Sequence, residues 1–197
     1  MVAIIDYDAG NTCSVMNALR RLDADFELTA DKETILAADK VIFPGVGHAT
    51  QAMSALKSKG LDEVITAVKN PLLGICIGMQ LMCDFSVEGN TRCLGIVDAI
   101  VQKFVPLNHD DFQKVPHMGW NGIEHSGDAL FKDVAESSYV YFVHSYFVET
   151  NESTIAETNY NHPYAAAIKK DNFYGVQFHA EKSGKVGEQI LLNFLNL

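Results

Sequence analysis

A cysteine between two glycines stands at the end of an apolar run near the middle of the chain. The run Leu72–Ile75 leads into the segment GICIG at residues 74–78, which is centred on Cys76. Glycines two positions either side of one residue indicate a backbone that turns sharply around it. This is the nucleophile-elbow pattern, with cysteine in place of serine. A turn from a strand end into a helix start would direct amides and the helix dipole at the thiol and favour the thiolate. The alternative is that Cys76 is a small buried hydrophobic residue, as lone cysteines commonly are.

A histidine and a glutamate two residues apart offer the groups that such a nucleophile requires. His179 and Glu181 follow an apolar strand predicted over residues 173–178, and a period of two would place both on one face. A carboxylate beside a histidine fixes its tautomer and stabilises the imidazolium, so His179 is a candidate general acid and base. Because His-x-Glu pairs also arise by chance, a solvated strand end is the alternative for Glu181.

Two further segments offer groups for a carbonyl substrate. The segment PGVG at residues 44–47 follows a strand predicted to lie beside the elbow strand. Its flexible backbone would present an amide, that of Val46, which with the amide of Ile77 completes an oxyanion hole. Gln80, one turn into the elbow helix, is placed to bond a polar end of the substrate. The alternative for residues 44–47 is an ordinary strand-to-helix turn, and the alternative for Gln80 is a solvated helix residue.

Short apolar strands alternate with helical segments in the first half of the chain. The pattern predicts strands over residues 2–7, 26–29, 40–43 and 72–75, and helices over 11–22 and 61–69. This alternation is typical of an α/β fold with a mostly parallel central sheet covered on both faces, hence three layers. Beyond Cys93, strands predicted over 96–104, 139–148, 165–169 and 173–178 indicate antiparallel additions in the C-terminal half. Ser183 is a candidate cap for a final helix.

The composition argues against several classes of function. The chain has 197 residues, of which 48% are hydrophobic, and this size favours one domain over residues 1–197. Its net charge is −10 and its basic residues do not cluster, so we expect no nucleic-acid partner. It has no apolar run of membrane-spanning length and no signal-peptide pattern, so we expect a cytoplasmic protein and no membrane association. We expect free thiols and neither metal nor cofactor, because no CxxC pair occurs among its cysteines, Cys13, Cys76, Cys83 and Cys93.

Three segments together resemble the signatures of a known family. GICIGMQ at residues 74–80, FHAEKS at 178–183 and PGVG at 44–47 are similar to the motifs of class I, triad-type glutamine amidotransferases, which have a flavodoxin-like fold. The resemblance implies a glutaminase with Cys76 as nucleophile, His179 as general acid and base, and Glu181 as the orienting carboxylate. It further implies a set of residues that hold the head group of L-glutamine: Gly47, Gln80, Ser145 and Tyr146.

Three more segments narrow the resemblance within that family. IIDYDAGN at residues 4–11, VPHMGWN at 115–121 and YFVHSY at 141–146 are similar to members that act as the glutaminase subunit of a heterodimer in histidine biosynthesis. The resemblance implies a (β/α)8-barrel cyclase partner that uses the ammonia to form imidazole glycerol phosphate and the purine precursor AICAR. Four residues fall on segments that face the cyclase in those members: Asn11, Met118, Trp120 and Lys182. A role in the core is the alternative for Met118 and Trp120.

The sequence departs from the family pattern at a few positions. Asp8 stands where glycine is usual, the pair Thr12 and Cys13 replaces a leucine-arginine type pair, and Ala180 replaces proline. The first two changes affect the loop beside the expected partner contact, whereas the third keeps both catalytic groups, so we expect an active enzyme. Three alternatives stay open: another amidotransferase such as the glutaminase subunit of pyridoxal phosphate synthase, a non-catalytic scaffold subunit, and a cysteine peptidase on a related fold.

Overall fold

Strands and helices alternate through the first half of the chain, and strands dominate the second half. The computed structural model describes residues 1–8, 10–105 and 114–197, so residue 9 of the 4–11 motif lies outside the described residues. The elements in chain order are β1 (Val2–Ile5), α1 (Thr12–Arg21), β2 (Phe26–Thr29), α2 (Lys32–Ala37), β3 (Lys40–Phe43), α3 (Ala49–Lys59), α4 (Leu61–Ala67), β4 (Leu72–Ile75), α5 (Ile77–Leu81), β5 (Cys83–Ser86), β6 (Thr91–Arg92), β7 (Val97–Lys103), β8 (His117–His125), β9 (Ser138–His144), β10 (Tyr146–Val148), β11 (Thr154–Tyr160), β12 (His162–Lys170), β13 (Phe173–Val176) and α6 (Gly184–Leu195).

Nine strands form one sheet that contains both the elbow strand and the strand before His179. Their order is β2-β1-β3-β4-β13-β12-β11-β8-β9. The pairings from β2 to β13 are parallel, and those from β13 to β9 are antiparallel. The predicted α/β fold, with a parallel sheet extended by antiparallel strands, is confirmed. Because β4 and β13 are parallel neighbours, their carboxyl ends bring Cys76 and His179 to the same edge of the sheet.

Helices cover both faces of this sheet because its central strands are apolar on both sides. In β1, Ala3 and Ile5 join one hydrophobic cluster, whereas Val2 and Ile4 join another. Residues of α2, α3 and α4 pack in the first cluster, and residues of α1 and α6 pack in the second. The three-layer arrangement follows from this two-sided burial. Within the described ranges, no helix has both the length and the apolarity that crossing a membrane requires.

The segment predicted as one strand over residues 139–148 is divided between two sheets. β9 pairs with β8 in the large sheet, whereas β10 pairs with β7 in a second sheet of order β10-β7-β5-β6. The prediction of a single strand is therefore wrong, because the backbone leaves one sheet for the other at Ser145. This crossing places Ser145 and Tyr146 in the wall of a cavity beside Cys76.

Ser183 stands at the N-cap position of α6, but its hydroxyl does not cap the helix. Instead Ser183 Oγ donates to the carbonyl oxygen of His179 at 2.7 Å and accepts from the amide of Tyr141 at 3.0 Å. The prediction that the Ser183 side chain caps the final helix is therefore wrong. The serine links the loop that carries His179 to β9.

Candidate active site

The turn predicted around Cys76 is present between β4 and α5. Cys76 has φ 54° and ψ −107°, a backbone conformation that residues other than glycine rarely adopt. A Cβ atom on Gly78 would lie 2.0 Å from the carbonyl oxygen of Phe43, and one on Gly74 would lie 2.7 Å from the carbonyl carbon of Gly78. Both glycines are thus required for the close packing that directs the thiol away from the sheet and into a cavity.

His179 and Glu181 form a buried pair beside this turn. His179 Nδ1 lies 2.8 Å from Glu181 Oε1, and each side chain is 1% exposed. The solvated alternative for Glu181 is therefore wrong. The period-two argument is also wrong, because β13 ends at Val176 and a short 3-10 turn at Ala180–Lys182 carries the glutamate. Since Nδ1 faces the carboxylate, Nε2 is the nitrogen left for chemistry, and it has no hydrogen-bond partner among the described residues.

The environment of His179 favours its protonated form. Burial alone would lower the pKa of His179, but the nearby sulfur of Cys76 and the hydrogen-bonded carboxylate of Glu181 outweigh that effect and raise the pKa to about 9. The imidazole is held from its backbone as well, because the amide of His179 donates to the carbonyl oxygen of Tyr141 at 2.9 Å. At neutral pH the site therefore holds an imidazolium that is poised to give up a proton.

A cavity of about 390 Å³ opens over the thiol. The residues that line it are Val46, Gly47, Cys76, Ile77, Gln80, Glu88, Pro116, Val143, His144, Ser145, Tyr146 and His179. Every residue predicted for the oxyanion hole or for substrate binding is in this set. Such a volume suits a small molecule. No group of three or more histidine, cysteine, aspartate or glutamate side chains in the described ranges is arranged to hold a metal ion.

Gln80 is buried rather than solvated, so that alternative is wrong. Its Nε2 atom donates to the carbonyl oxygen of Tyr146 at 2.9 Å and to Oε1 of Gln177 at 2.9 Å. Its Oε1 atom is buried and has no partner among the described residues.

Glu88 is a site residue that sequence reasoning missed. It supplies the only carboxylate among the described residues that line the cavity, and its Oε2 atom accepts the amide of Ala49 at 2.7 Å. Glu88 is 8% exposed, so its negative charge faces the cavity from a largely dry position. It lies in a short turn after β5, eight residues beyond the motif that ends at Gln80, and no local spacing marks it.

The loop of residues 44–47 packs against the elbow. Tyr7 Oη donates to the carbonyl oxygen of Pro44 at 2.8 Å, and a Cβ atom on Gly45 would lie 2.7 Å from the amide nitrogen of Gly78. Beyond this anchored part the loop is open, since Val46 is 38% exposed. Gly47 has φ 102°, and apart from its chain neighbours no atom of the described residues lies within 4 Å of where its Cβ would be. The loop thus combines a fixed base with a glycine that is free to rotate at the rim of the cavity.

A buried chain of hydrogen bonds supports the opposite wall. His144 Nδ1 lies 2.7 Å from the carbonyl oxygen of Tyr146, which can only accept, so this nitrogen carries the proton. Burial lowers the pKa of His144 to about 3, so its Nε2 atom is an acceptor for Tyr164 Oη at 3.0 Å. Tyr164 Oη in turn lies 2.9 Å from Nδ1 of His117, whose pKa burial lowers to about 4. This chain ties the start of β8 to the cavity.

The residues expected at a partner contact lie on the surface. Met118 is 63% exposed and Trp120 is 54% exposed, so the core alternative for both is wrong. Tyr139, which the sequence did not single out, is 61% exposed on the neighbouring strand. Lys182 is exposed and Asn11 is partly exposed at the start of α1.

Asp8 adopts the conformation that explains the usual glycine at its position. Its φ is 64°, in the left-handed region that aspartate tolerates better than most residues. Its carboxylate pairs with Lys59 Nζ at 2.8 Å. The departure from the family pattern is therefore accommodated locally.

Comparison with known proteins places the chain in a family. Residues 3–197 match the family model described as "Glutamine amidotransferase class-I". The chain belongs to the class I glutamine amidotransferases, as its motifs predicted. Among its relatives, the imidazole glycerol phosphate synthase subunit HisH of Bacteroides thetaiotaomicron is 55% identical, covering 100% of this chain and 99% of its own length. The subunit HisH 2 of Legionella pneumophila (strain Paris) is 43% identical, covering 100% of this chain and 98% of its own.

Solved structures share the fold at low sequence identity. A crystal structure of a glutamine amidotransferase has a TM-score of 0.75 at 17% identity, covering 100% of this chain and 98% of that one. A glutamine amidotransferase from Thermotoga maritima has a TM-score of 0.60 at 18% identity, covering 99% of this chain and 82% of that one. These likenesses confirm the fold class.

Proposed function

We propose that this chain is the glutaminase subunit of an imidazole glycerol phosphate synthase, acting in the cytoplasm as one domain over residues 1–197. It hydrolyses L-glutamine to glutamate and ammonia and supplies the ammonia to a (β/α)8-barrel cyclase subunit. The observation that carries the hydrolytic part is that Cys76 and His179 line one cavity, while the Glu181 carboxylate lies 2.8 Å from Nδ1 of His179. The full-length match to proteins named HisH supports the choice of pathway and partner. No observation favours the pyridoxal phosphate synthase, scaffold or peptidase alternative.

In the first half-reaction, the thiolate of Cys76 attacks the side-chain amide carbon of glutamine. The carbonyl electron pair moves onto oxygen, and the amides of Val46 and Ile77 stabilise the resulting oxyanion. His179 Nε2 then gives its proton to the amide nitrogen, the carbon–nitrogen bond breaks, and ammonia leaves. The products at this stage are ammonia, a γ-glutamyl thioester on Cys76 and a neutral imidazole.

In the second half-reaction, water replaces the sulfur. The neutral His179 takes a proton from the water as its oxygen adds to the thioester carbon, and the same two amides stabilise the second oxyanion. When this intermediate collapses, the carbon–sulfur bond breaks and the thiolate–imidazolium pair is restored. The γ-carboxylic acid that is released loses its proton to water to give glutamate. Glu181 keeps the proton of His179 on Nδ1 throughout and stabilises the imidazolium.

The cavity offers matched groups for the α-amino acid end of glutamine. The carboxylate of Glu88 attracts the α-ammonium group, and Gln80, which lines the same cavity, contacts the substrate. Gly47, Ser145 and Tyr146 complete the binding set, in part through backbone atoms. Selectivity for glutamine follows from this combination of a charged group and fixed polar atoms around a short apolar path.

We further propose that the cyclase, with its own ligand bound, switches the glutaminase on. Ammonia released into water at neutral pH is mostly protonated, so hydrolysis without the partner would waste glutamine. We infer that the loop of residues 44–47 is the part that changes. Its peptides beyond the anchored Pro44 carbonyl can rotate so that the Val46 amide points into the oxyanion hole. Losing one oxyanion donor lowers a rate by roughly 10²- to 10³-fold, so one such rotation accounts for a large activation.

Two of the residues expected to contact the cyclase, Trp120 and Lys182, are linked to the triad through their neighbours. The ring of Trp120 lies 5.9 Å from the ring of Tyr141, whose carbonyl oxygen accepts the amide of His179 at 2.9 Å. Lys182 directly follows Glu181 in the same short turn. Together with Asn11 these residues are our candidates for relaying partner binding, a coupling that mutation of the complex must establish.

The experiment that tests both proposals is a steady-state glutaminase assay in three conditions. Glutamate formation is measured for the chain alone, with the cyclase, and with the cyclase and its nucleotide ligand. We expect slow hydrolysis by the chain alone and a rise of about 10²-fold or more in the full assembly. Absence of hydrolysis in all three conditions would overturn the proposed function, whereas equal rates in all three would overturn only the switch.

A further inference from the structure

Gln177 is a buried amide that the mechanism above does not use, and it lies against the nucleophile. It directly follows β13, as Cys76 directly follows β4, and in these parallel strands Val176 pairs with Ile75. The register therefore brings residue 177 beside residue 76. Gln177 is 0% exposed, and its Nε2 atom lies 3.7 Å from Cys76 Sγ.

The hydrogen-bond network fixes which end of this amide faces the sulfur. The carbonyl oxygen of Tyr146 can only accept, so the Gln80 atom beside it at 2.9 Å is the nitrogen. That nitrogen also donates to Gln177 Oε1 at 2.9 Å, which turns Gln177 Nε2 toward Cys76. Reversing Gln177 would set two NH2 groups against each other. Gln80 thus positions Gln177, while its own Oε1 atom has no partner among the described residues.

We propose that Gln177 is a further catalytic residue of this site, whose Nε2–H group donates a hydrogen bond to the sulfur of Cys76. The proposal rests on the proposed glutaminase function. Sulfur carries negative charge at two points of that reaction, in the attacking thiolate and again when it leaves the second intermediate. A hydrogen bond to a charged acceptor in a buried site is stronger than one between neutral groups, so the donor favours both states.

The contact explains how a mostly buried thiol can carry charge. Cys76 is 4% exposed, so water supplies little stabilisation. His179 provides a countercharge from one side, and a neutral amide donor from the adjacent strand adds a bond that cannot take the proton from the sulfur. Gln177 thereby assists the anion without competing with His179 as the acid.

The test is the pH profile of Cys76 alkylation by iodoacetamide, measured on the isolated chain with the modified site located by peptide mass. Site resolution is needed because Cys13 is exposed and reacts too. The variants are Gln177→Glu, which replaces the donor with an acceptor of the same shape, and Gln177→Met, which removes it. Gln51→Glu, an equal change on the exposed face of α3, is the matched control.

We expect the pH of half-maximal alkylation to rise in both Gln177 variants, with the rate at neutral pH falling roughly 10- to 100-fold, and the control to match wild type. In the complex, kcat should fall by a similar factor while KM for glutamine stays near its wild-type value. Coincident alkylation profiles for Gln177→Met and Gln51→Glu would overturn the proposal, because a residue that merely fills space would leave the profile in place.

A measurement on the unaltered fold guards against variants that do not fold. The side-chain amide resonance of Gln177 in an NMR spectrum should move as the thiol titrates in wild type, and should not move over that range in Cys76→Ser. A resonance that does not respond in wild type would also overturn the proposal. Neither the alkylation profile nor the NMR titration requires turnover. A chain that shows both effects of Gln177, yet hydrolyses no glutamine in any of the three assay conditions, would refute the proposed function alone.

Discussion

Glu181 contacts His179 and is not among the described residues that line the cavity, so it acts on glutamine through the imidazole. Replacing Glu181 with glutamine keeps an acceptor for Nδ1 but removes the charge that stabilises the imidazolium. We predict that Glu181→Gln lowers kcat by roughly 10- to 100-fold and leaves KM for glutamine nearly unchanged.

His125 and Glu136, which lie outside the cavity, offer a matched control. Their side chains lie 3.5 Å apart, and Glu136 is 55% exposed. Glu136→Gln should leave both kinetic constants at wild-type values in the same assay. If Glu181→Gln mainly raised KM, the glutamate would belong to the binding pocket instead.

The protonation of His179 sets the alkaline limit of activity. Its pKa of about 9 means that the imidazolium persists through neutral pH and is lost as the pH rises through that value. Because the imidazolium protonates the leaving ammonia, kcat/KM should fall above about pH 9. Removing the charge of Glu181 lowers the pKa of His179. The alkaline fall in kcat/KM should therefore occur at lower pH in Glu181→Gln than in wild type. If kcat/KM fell at the same alkaline pH in wild type and in Glu181→Gln, Glu181 would have no effect on the titration of His179.

At the residue scale, the sequence identified those catalytic candidates that are marked by the spacing of neighbouring residues. Glycines around Cys76 and a His-x-Glu pair are local patterns, and the structure brings both to one cavity. Glu88 and Gln177 were missed as site residues for different reasons. Glu88 reaches the cavity only through the tertiary fold. Gln177 lies two residues before His179, directly ahead of a quoted motif, but only the register of β13 against β4 places it beside Cys76.

Among the elements, the junction of β4 and α5 depends on Gly78. A methyl group there would lie 2.0 Å from a carbonyl oxygen of β3, and backbone atoms cannot move aside as a side chain can. We predict that Gly78→Ala destabilises the fold by about 3 kcal/mol or more and abolishes glutaminase activity.

Gly122→Ala is the control for this prediction. Its Cβ would lie 3.4 Å from the nearest atom, the carbonyl oxygen of Ser137, which is an ordinary contact. Urea unfolding of the isolated chains should show a large loss for Gly78→Ala and a small change for Gly122→Ala. Equal stability of the two variants would mean that the close packing at the elbow is not required.

Sequence patterns predicted some strands closely and missed others. β3 and β4 have the predicted bounds because each is a short apolar run, and the partly buried β2 has them too. β1 ends at Ile5 and not at the predicted residue 7, whereas the half-exposed β7 lies within one residue of its prediction at each end. β5 follows α5 with little break in hydrophobicity, so periodicity could not separate them. β8 alternates buried and exposed positions with glycines inside, and it was noted as a motif rather than as a strand.

For the whole molecule, three large exposed apolar side chains lie together on the antiparallel half of the large sheet. Met118, Trp120 and Tyr139 come from the paired strands β8 and β9 and are all more than half exposed. Exposed apolar side chains grouped in this way are typical of a surface that binds another protein. The partner's identity could not follow from physical pattern alone, because many proteins can cover such a surface; it came from the resemblance of whole motifs.

The measurement that tests the central claim most directly supplies the reconstituted complex with either of two nitrogen donors. Formation of imidazole glycerol phosphate is followed with glutamine and, separately, with an ammonium salt at alkaline pH. Cys76→Ser is compared with wild type and with Cys93→Ala, which changes a buried cysteine outside the cavity. We predict that Cys76→Ser abolishes product formation from glutamine and preserves it from ammonia, while Cys93→Ala preserves both. Product formation from glutamine at the wild-type rate by the Cys76→Ser complex would contradict the account.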